Sequence, residues 1–266
     1  MSITQTTSGI IVFDPLTDIS AWGLFSSAND YGEITAASLT GPPMQIYGEG
    51  EFDNMGAPEV ALCEVNAYKT LDLGSGSSRL VRLMFYGYQL DGWSCYPFNV
   101  GTIGSGGTAI LPMQGTTGNA YQQLSATIPS DITGSQSCTL GELYADGTPD
   151  GQSYGGACNV YNLLICLGEN LTVTGLTAGQ VIDVYNASTG GLIGTITVAS
   201  GDTQGSCSLS SVNFPLTAYM AIYASDGTTL LETTPTVTIC GGDVWAWTPP
   251  LYGLKAASSA FIIVVS

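Results

Sequence analysis

Three groups of residues in this chain have the types and spacing to do chemistry. Glu49-x-Glu51-x-Asp53 sets carboxylates at every second position, so on an extended strand all three share one face. A carboxylate pair can cleave a glycosidic bond, one group as acid and the other as base or nucleophile, and a carboxylate cluster can hold calcium. The flanking Gly48, Gly50 and Asn54 point instead to a solvated acidic turn. Asp146-Gly-Thr148-Pro-Asp150-Gly-Gln152 matches the first half of a calcium loop, with Asp146, Thr148, Asp150 and Gln152 supplying oxygens. Ala157 stands where that loop's bidentate Glu belongs, so a plain Asp-Gly turn competes with a structural calcium site. Trp93 and Tyr96, in D-G-W-S-C-Y-P-F, could stack on sugar rings if that segment is a loop; as core aromatics they would anchor a sandwich instead.

No catalytic residue is assigned, and the chain is expected not to be an enzyme. Histidine is absent, which excludes a Ser–His–Asp triad, His-ligated zinc and His-bound haem. The chain of 266 residues holds 21 acidic and only 4 basic residues, for a formal charge of −17. No Lys or Arg lies between Arg82 and Lys255, so no basic stripe can neutralise phosphates; nucleic acid and anionic bilayers are not expected partners. Charged residues make up 9% of the chain, while Gly, Ser and Thr fill 91 positions and hydrophobic residues 44%, which is the composition of a folded chain with a neutral polar surface.

The N-terminus shows neither a basic nor an apolar leader region, so no signal peptide is expected. The apolar tail Ala260–Ser266 is too short to span a bilayer and reads as a strand. Seven cysteines (63, 95, 138, 158, 166, 207 and 240) contain no C-x-x-C pair. They read either as buried thiols or as disulfides, with Cys138–Cys158 and Cys207–Cys240 the preferred pairs; disulfides would imply an oxidising compartment.

The elements that must position these residues are strands. Short β-rich runs recur between Gly, Pro, Asn and Asp, as in sandwiches and barrels, and helix signals are nearly absent. Expected strands include Gly9–Phe13, Ala21–Ser26, Met44–Tyr47, Glu59–Glu64, Leu80–Leu90, Tyr121–Ile128, Thr139–Tyr144 and Val160–Leu167. The Leu80–Leu90 run reads as a central strand, apolar on both faces. Texture changes near Gly168-Glu-Asn170. The fold class is therefore all-β: a jelly-roll-like sandwich over 1–167, a smaller Ig-like sandwich over 168–244, and a docking tail over 245–266. Trp245 and Trp247 alternate and point the same way; with Phe261 they are expected at an interface with a partner subunit or as anchors of the tail.

Two resemblances follow from particular motifs. Ile11 to Leu24, I-V-F-D-P-L-T-D-I-S-A-W-G-L, resembles the F-D-x-L-x-x-x-x-x-W opening of laminin-G-like, concanavalin-like and carbohydrate-binding modules. Tyr121–Gly134 is similar to their late strand and turn, and Cys158–Ile165 to their x-x-I-D-N-V-x-I strand, with Tyr161-Asn162 in place of Asp-Asn. Val173–Asn186 resembles the first hairpin of small Ig-like modules on surface and virion proteins. These resemblances imply sandwiches, glycan contact at the first domain and a docking or spacer role for the second. The expected function is a non-enzymatic structural subunit of a virion or extracellular assembly, such as a capsid decoration, spike, tail or fibre. Its expected partners are further copies of itself, other subunits of the same particle, or a cell-surface glycan. The alternatives are a secreted carbohydrate-binding adhesin module and a glycoside hydrolase.

Overall fold

The computed structural model describes residues 2–53, 60–91, 93–115, 120–147 and 151–249. It is built almost entirely of strands, and the chain folds as β-sandwiches. The strands are β1 (Ser2–Thr7), β2 (Ile10–Asp14), β3 (Gly23–Ala28), β4 (Gly32–Thr40), β5 (Met44–Phe52), β6 (Ala61–Asp72) and β7 (Leu80–Asp91). There follow β8 (Ser94–Val100), β9 (Thr108–Ala109), β10 (Gln122–Thr127), β11 (Ser135–Gly147) and β12 (Ser153–Cys166). The last are β13 (Asn170–Thr174), β14 (Val181–Asn186), β15 (Leu192–Thr197), β16 (Gln204–Ser208), β17 (Leu216–Tyr223), β18 (Leu230–Thr233), β19 (Val237–Ile239) and β20 (Val244–Thr248).

The larger compact unit comprises Gly9–Glu169 with Cys240–Gly242. One of its sheets runs β10-β7-β12-β5-β4, with β2 also on β12; the other runs β3-β6-β11-β8-β9. Period-two patterning builds the core. On β5, Met44, Ile46 and Phe52 turn inward and are buried, while Gln45, Tyr47, Glu49 and Glu51 turn outward. Val81, Leu83 and Phe85 of β7 meet Val65, Ala67, Leu140 and Leu143 of the facing sheet. Arg79, fully buried, pins two loops by donating to the carbonyls of Leu73, Gly74, Gly76 and Pro129.

Glu49 and Glu51 therefore lie on a continuous strand and not in a turn, which corrects the loop expectation. The glycines at 48 and 50 face inward because the sheets approach closely there: a Cβ on Gly48 would lie 2.9 Å from Val65. Likewise the S-C-Y-P-F part of D-G-W-S-C-Y-P-F is not a loop, since Ser94–Val100 is β8, paired with β11. The Leu80–Leu90 run is central, but its outward face carries Arg82, Met84, Tyr86 and Tyr88 rather than a second apolar layer.

The smaller unit comprises the described residues up to Ser8, Asn170–Ile239 and the described residues from Asp243 on. Its sheets run β1-β20-β13-β16 and β15-β14-β17-β18, with β19 on β17. The opening strand thus belongs to this unit and not to the first sandwich, since β1 pairs antiparallel with β20. The segment at 245, expected to begin a docking tail, is instead a sheet strand: β20 lies parallel to β13. Trp245 and Trp247 are 6% and 4% exposed and pack in this core with Val173, Ile182, Val184 and Met220, which corrects their assignment to an interface. Phe261 lies outside the described residues. Among the described residues, no helix is long and apolar enough to cross a membrane.

Candidate functional site

The outward face of the six-stranded sheet gathers tyrosines and amides. Tyr86 and Tyr88 are two residues apart on β7, as are Asn159 and Tyr161 on β12, so each pair shares a face. Strand register sets Gln45 and Tyr86 on either side of Asn159. Tyr121 enters β10 beside them. The Tyr86 and Tyr88 rings stack at 5.2 Å, Tyr86 and Tyr121 tilt at 5.3 Å, and Tyr121 and Tyr161 meet edge to face at 4.8 Å. Gln45 donates to the Tyr88 hydroxyl, and Asn159 Nδ2 donates to the Tyr121 hydroxyl at 3.3 Å. Asn159 Oδ1 is buried and has no hydrogen-bond partner among the described residues. Burial, helped by the neighbouring Cys158 and Tyr86, raises the Tyr88 pKa, so its phenol stays neutral.

Beside this array lies a cleft of about 550 Å³ lined by Pro15, Leu16, Thr17, Pro42, Pro43, Tyr121, Tyr161 and Asn162. A second hollow of about 220 Å³ shares Pro42 and Pro43 and adds Thr40, Gln45 and Asn159. The described residues of the lining offer apolar rings together with neutral donors and acceptors, and none of them is charged. A hexose ring presents the same two characters, an apolar C–H face and a hydroxyl rim.

The cleft wall is fixed by Asp14. One carboxylate oxygen accepts from the Leu16 backbone N–H at 2.9 Å, and the other accepts from Trp22 Nε1 at 3.1 Å and Lys69 Nζ at 3.3 Å. Lys69 also sits 5.2 Å over the Trp22 ring. Leu16 is held at φ +58° and Asn162, opposite, at φ +56°, where its N–H reaches the Pro15 carbonyl at 3.4 Å. This is the physical content of the F-D-x-L-x-x-x-x-x-W motif: its Asp ties its Leu and its Trp into one wall.

A second constellation lies on the outward face of the five-stranded sheet. A bulge between Leu140 and Leu143, with Gly141 at φ +56°, turns Glu142 outward toward Glu64 of β6. Both are buried. Glu142 accepts from Asn99 Nδ2 at 2.7 Å, Thr139 Oγ1 at 3.0 Å and the Ile103 N–H at 2.6 Å. Asn66 donates to Glu64 at 3.1 Å, and Glu64 and Glu142 are hydrogen-bonded to each other. Burial first, then the Glu142 carboxyl, pushes the Glu64 pKa up to about 8, against opposing bonds from Asn66 and Thr102. Glu64 therefore keeps its proton at neutral pH. Hydrogen-bonded carboxyls stand closer than the ~5–5.5 Å of a retaining glycosidase pair. The backbone also covers them: a Cβ on Gly104 would lie 2.5 Å from Glu64 Oε2.

The residues expected from sequence fall elsewhere. Trp93 is 4% exposed, with its ring against Gly156, so it is a core residue and corrects the reading as a sugar platform. Tyr96 is half-buried, edge-on to Tyr144 at 6.2 Å. Asp146 lies at the end of β11 and accepts from the Tyr144 hydroxyl at 3.3 Å. The Gln152 carbonyl accepts from the Phe52 N–H, while Thr148 and Asp150 lie outside the described residues. Among the described residues, no three His, Cys, Asp or Glu side chains gather as metal ligands. Glu49 is exposed and accepts from the Tyr47 hydroxyl. The expected disulfides are also corrected: the Cys158 thiol meets Cys95, and Cys240 meets Cys166.

No family model and no curated protein matches this chain. Among solved structures, the adhesin domain of Epf from Streptococcus pyogenes is similar at 11% identity and a TM-score of 0.29, covering 94% of this chain and 99% of that one. TmCBM61 in complex with beta-1,4-galactotriose is similar at 13% identity and a TM-score of 0.32, over 59% of this chain and 98% of that one. The enzymatically active domain of bacteriophage CBA120 tailspike protein 4 gives 15% identity and 0.29, over 57% of this chain and 20% of that one. At these scores the likenesses assign nothing to individual residues.

Proposed function

We propose that the chain is a non-enzymatic attachment module that binds neutral glycans in the Tyr121–Tyr161 cleft. The observation that carries this reading is the cleft itself: two tyrosine rings and a proline ridge beside Gln45, Asn159 and Asn162, at about 550 Å³. That volume suits a small ligand, and a lining with a few fixed polar groups sets orientation. Aromatic faces take the C–H side of a sugar, while the amides and phenols meet its hydroxyls.

Charge sets the class of sugar. Among the described residues, the lining holds no cation. Lys69 is paired with Asp14, Arg82 with Glu169, and Arg79 is sealed among carbonyls. Glu33, Glu49 and Glu51 are exposed on the adjoining β4 and β5. A sialylated or uronate glycan would meet repulsion with no compensating partner among the described residues.

Binding rather than cleavage is supported by a lining without carboxylates among the described residues and by the contact spacing of Glu64 and Glu142. The proposal extends to setting: a subunit of an extracellular or virion assembly, with its larger sandwich read as jelly-roll-like and its smaller one as Ig-like. A glycan array with labelled protein tests it. Retention on neutral hexose oligosaccharides is expected; retention on acidic glycans alone, or on none, would refute it.

A further inference from the structure

Two pairs of cysteines, distant in sequence, touch inside the larger unit. Cys95 and Cys158 are hydrogen-bonded within the core, where Cys158 also reaches the Gly141 carbonyl at 3.5 Å. Cys166, the last residue of β12, is fully buried and accepts a hydrogen bond from the Cys240 thiol, which is 3% exposed. Backbone packing holds the second pair. A side chain on Gly241 would strike the Gly168 carbonyl, and a Cβ on Gly242 would lie 2.7 Å from Leu167 Cβ, so residues 240–242 lie flat against 167–169. The Cys166 sulfur is also 3.4 Å from the Gly168 carbonyl.

The two pairs differ chemically. Burial, then its neighbour Cys158, drives the Cys95 thiol far above the ordinary range. At Cys166 the Cys240 hydrogen bond, with the charge of Arg82 nearby, outweighs burial and brings the thiol down to about 7. The thiolate is the species that attacks a disulfide, so the second pair is the one poised to exchange.

We propose that Cys166 and Cys240 form this chain's intramolecular disulfide when it folds in the presence of a small disulfide oxidant such as glutathione disulfide. The Cys166 thiolate attacks one sulfur of the oxidant, forming a mixed disulfide and releasing one glutathione thiolate. Cys240 gives its proton to solvent, and its thiolate attacks the Cys166 sulfur and releases the second glutathione. Two protein thiols are oxidised and one external disulfide is reduced to two thiols. Exchange takes place as residues 240–242 come against 167–169, when the Cys240 contact forms but the pair is still open to the oxidant, and the completed core then shields the bond from reductant. This inference does not depend on glycan binding.

The test is refolding of denatured, reduced full-length chain in a reduced/oxidised glutathione buffer, with a parallel sample in dithiothreitol. The glutathione sample is expected to carry two fewer titratable thiols when unfolded, and non-reducing peptide mapping to recover Cys166 joined to Cys240. Cys240→Ser refolded in the same way should leave Cys166 alkylatable. Seven thiols in both samples, or Cys240 joined to another cysteine, would overturn the proposal. Mapping of the wild-type chain decides even where the variant fails to fold.

Discussion

Tyr121 and Tyr161 meet edge to face with ring centroids 4.8 Å apart, and both line the same cleft. One ring therefore braces the other at the cleft wall. Replacing either with Ala removes a stacking surface worth about 1–1.5 kcal/mol, or roughly a tenfold loss of glycan affinity. Phe at either position should retain most of the binding. Titration of each variant against one neutral oligosaccharide checks this; equal loss in Ala and Phe variants would shift the weight from the ring faces to the hydroxyls.

Asp14 serves three donors at once, the Leu16 N–H, Trp22 Nε1 and Lys69 Nζ. Asp14→Ala is expected to cost about 2–4 kcal/mol of stability, since Leu16 and Trp22 are buried and lose their acceptor. The cleft wall loosens with it, so affinity falls although Asp14 touches no ligand. Denaturant unfolding and binding measured on the same variant check both effects.

Glu64 gives the protein a pH dependence of unusual sign. Its folded pKa of about 8 lies above its ordinary 4.5, so the folded state holds the proton more tightly than the unfolded chain. The stabilisation is complete below about 4.5 and is lost as pH rises through about 8. Melting temperature should therefore decline from pH 5 to pH 8, and Glu64→Gln should flatten this difference. A wild-type profile parallel to that of the Gln variant would show that Glu64 gains no proton affinity on folding.

Much of this fold was legible in the alternation of apolar and polar residues, and the exceptions have physical causes. Gly48 and Gly50 look like turn residues, yet they face inward where a Cβ would crowd Val65 and Cys63. Their small size, not their flexibility, places them in β5. Trp93 and Tyr96 could be read as a loop platform because Gly92 and Pro97 punctuate the run, but β11 supplies pairing partners that no local pattern reveals. The tyrosine cleft was half visible: Tyr86-x-Tyr88 shares one face of a strand, but Tyr121 and Tyr161 join it only through pairing between β7, β10 and β12. The Glu64–Glu142 contact was invisible, because a bulge at Gly141 breaks the period-two rule that would aim Glu142.

That bulge makes a sharp prediction of its own. Gly141 has φ +56°, and a Cβ there would lie 2.7 Å from Cys158 Sγ and from Ile46. Gly141→Ala combines backbone strain with overpacking in the core, and about 2–4 kcal/mol of destabilisation is expected. A shift in the urea midpoint without a change in slope is the expected signature.

The measurement that bears most directly on the whole account is calorimetric titration of the wild-type chain with neutral and carboxylate-bearing hexose oligosaccharides of matched length, repeated with Tyr121→Ala. Saturable heat with the neutral series, weakened about tenfold by the substitution, and none with the acidic series is the predicted result. Saturable binding of the neutral series that Tyr121→Ala leaves unchanged would contradict it, because the sugar would then be seated somewhere other than the cleft.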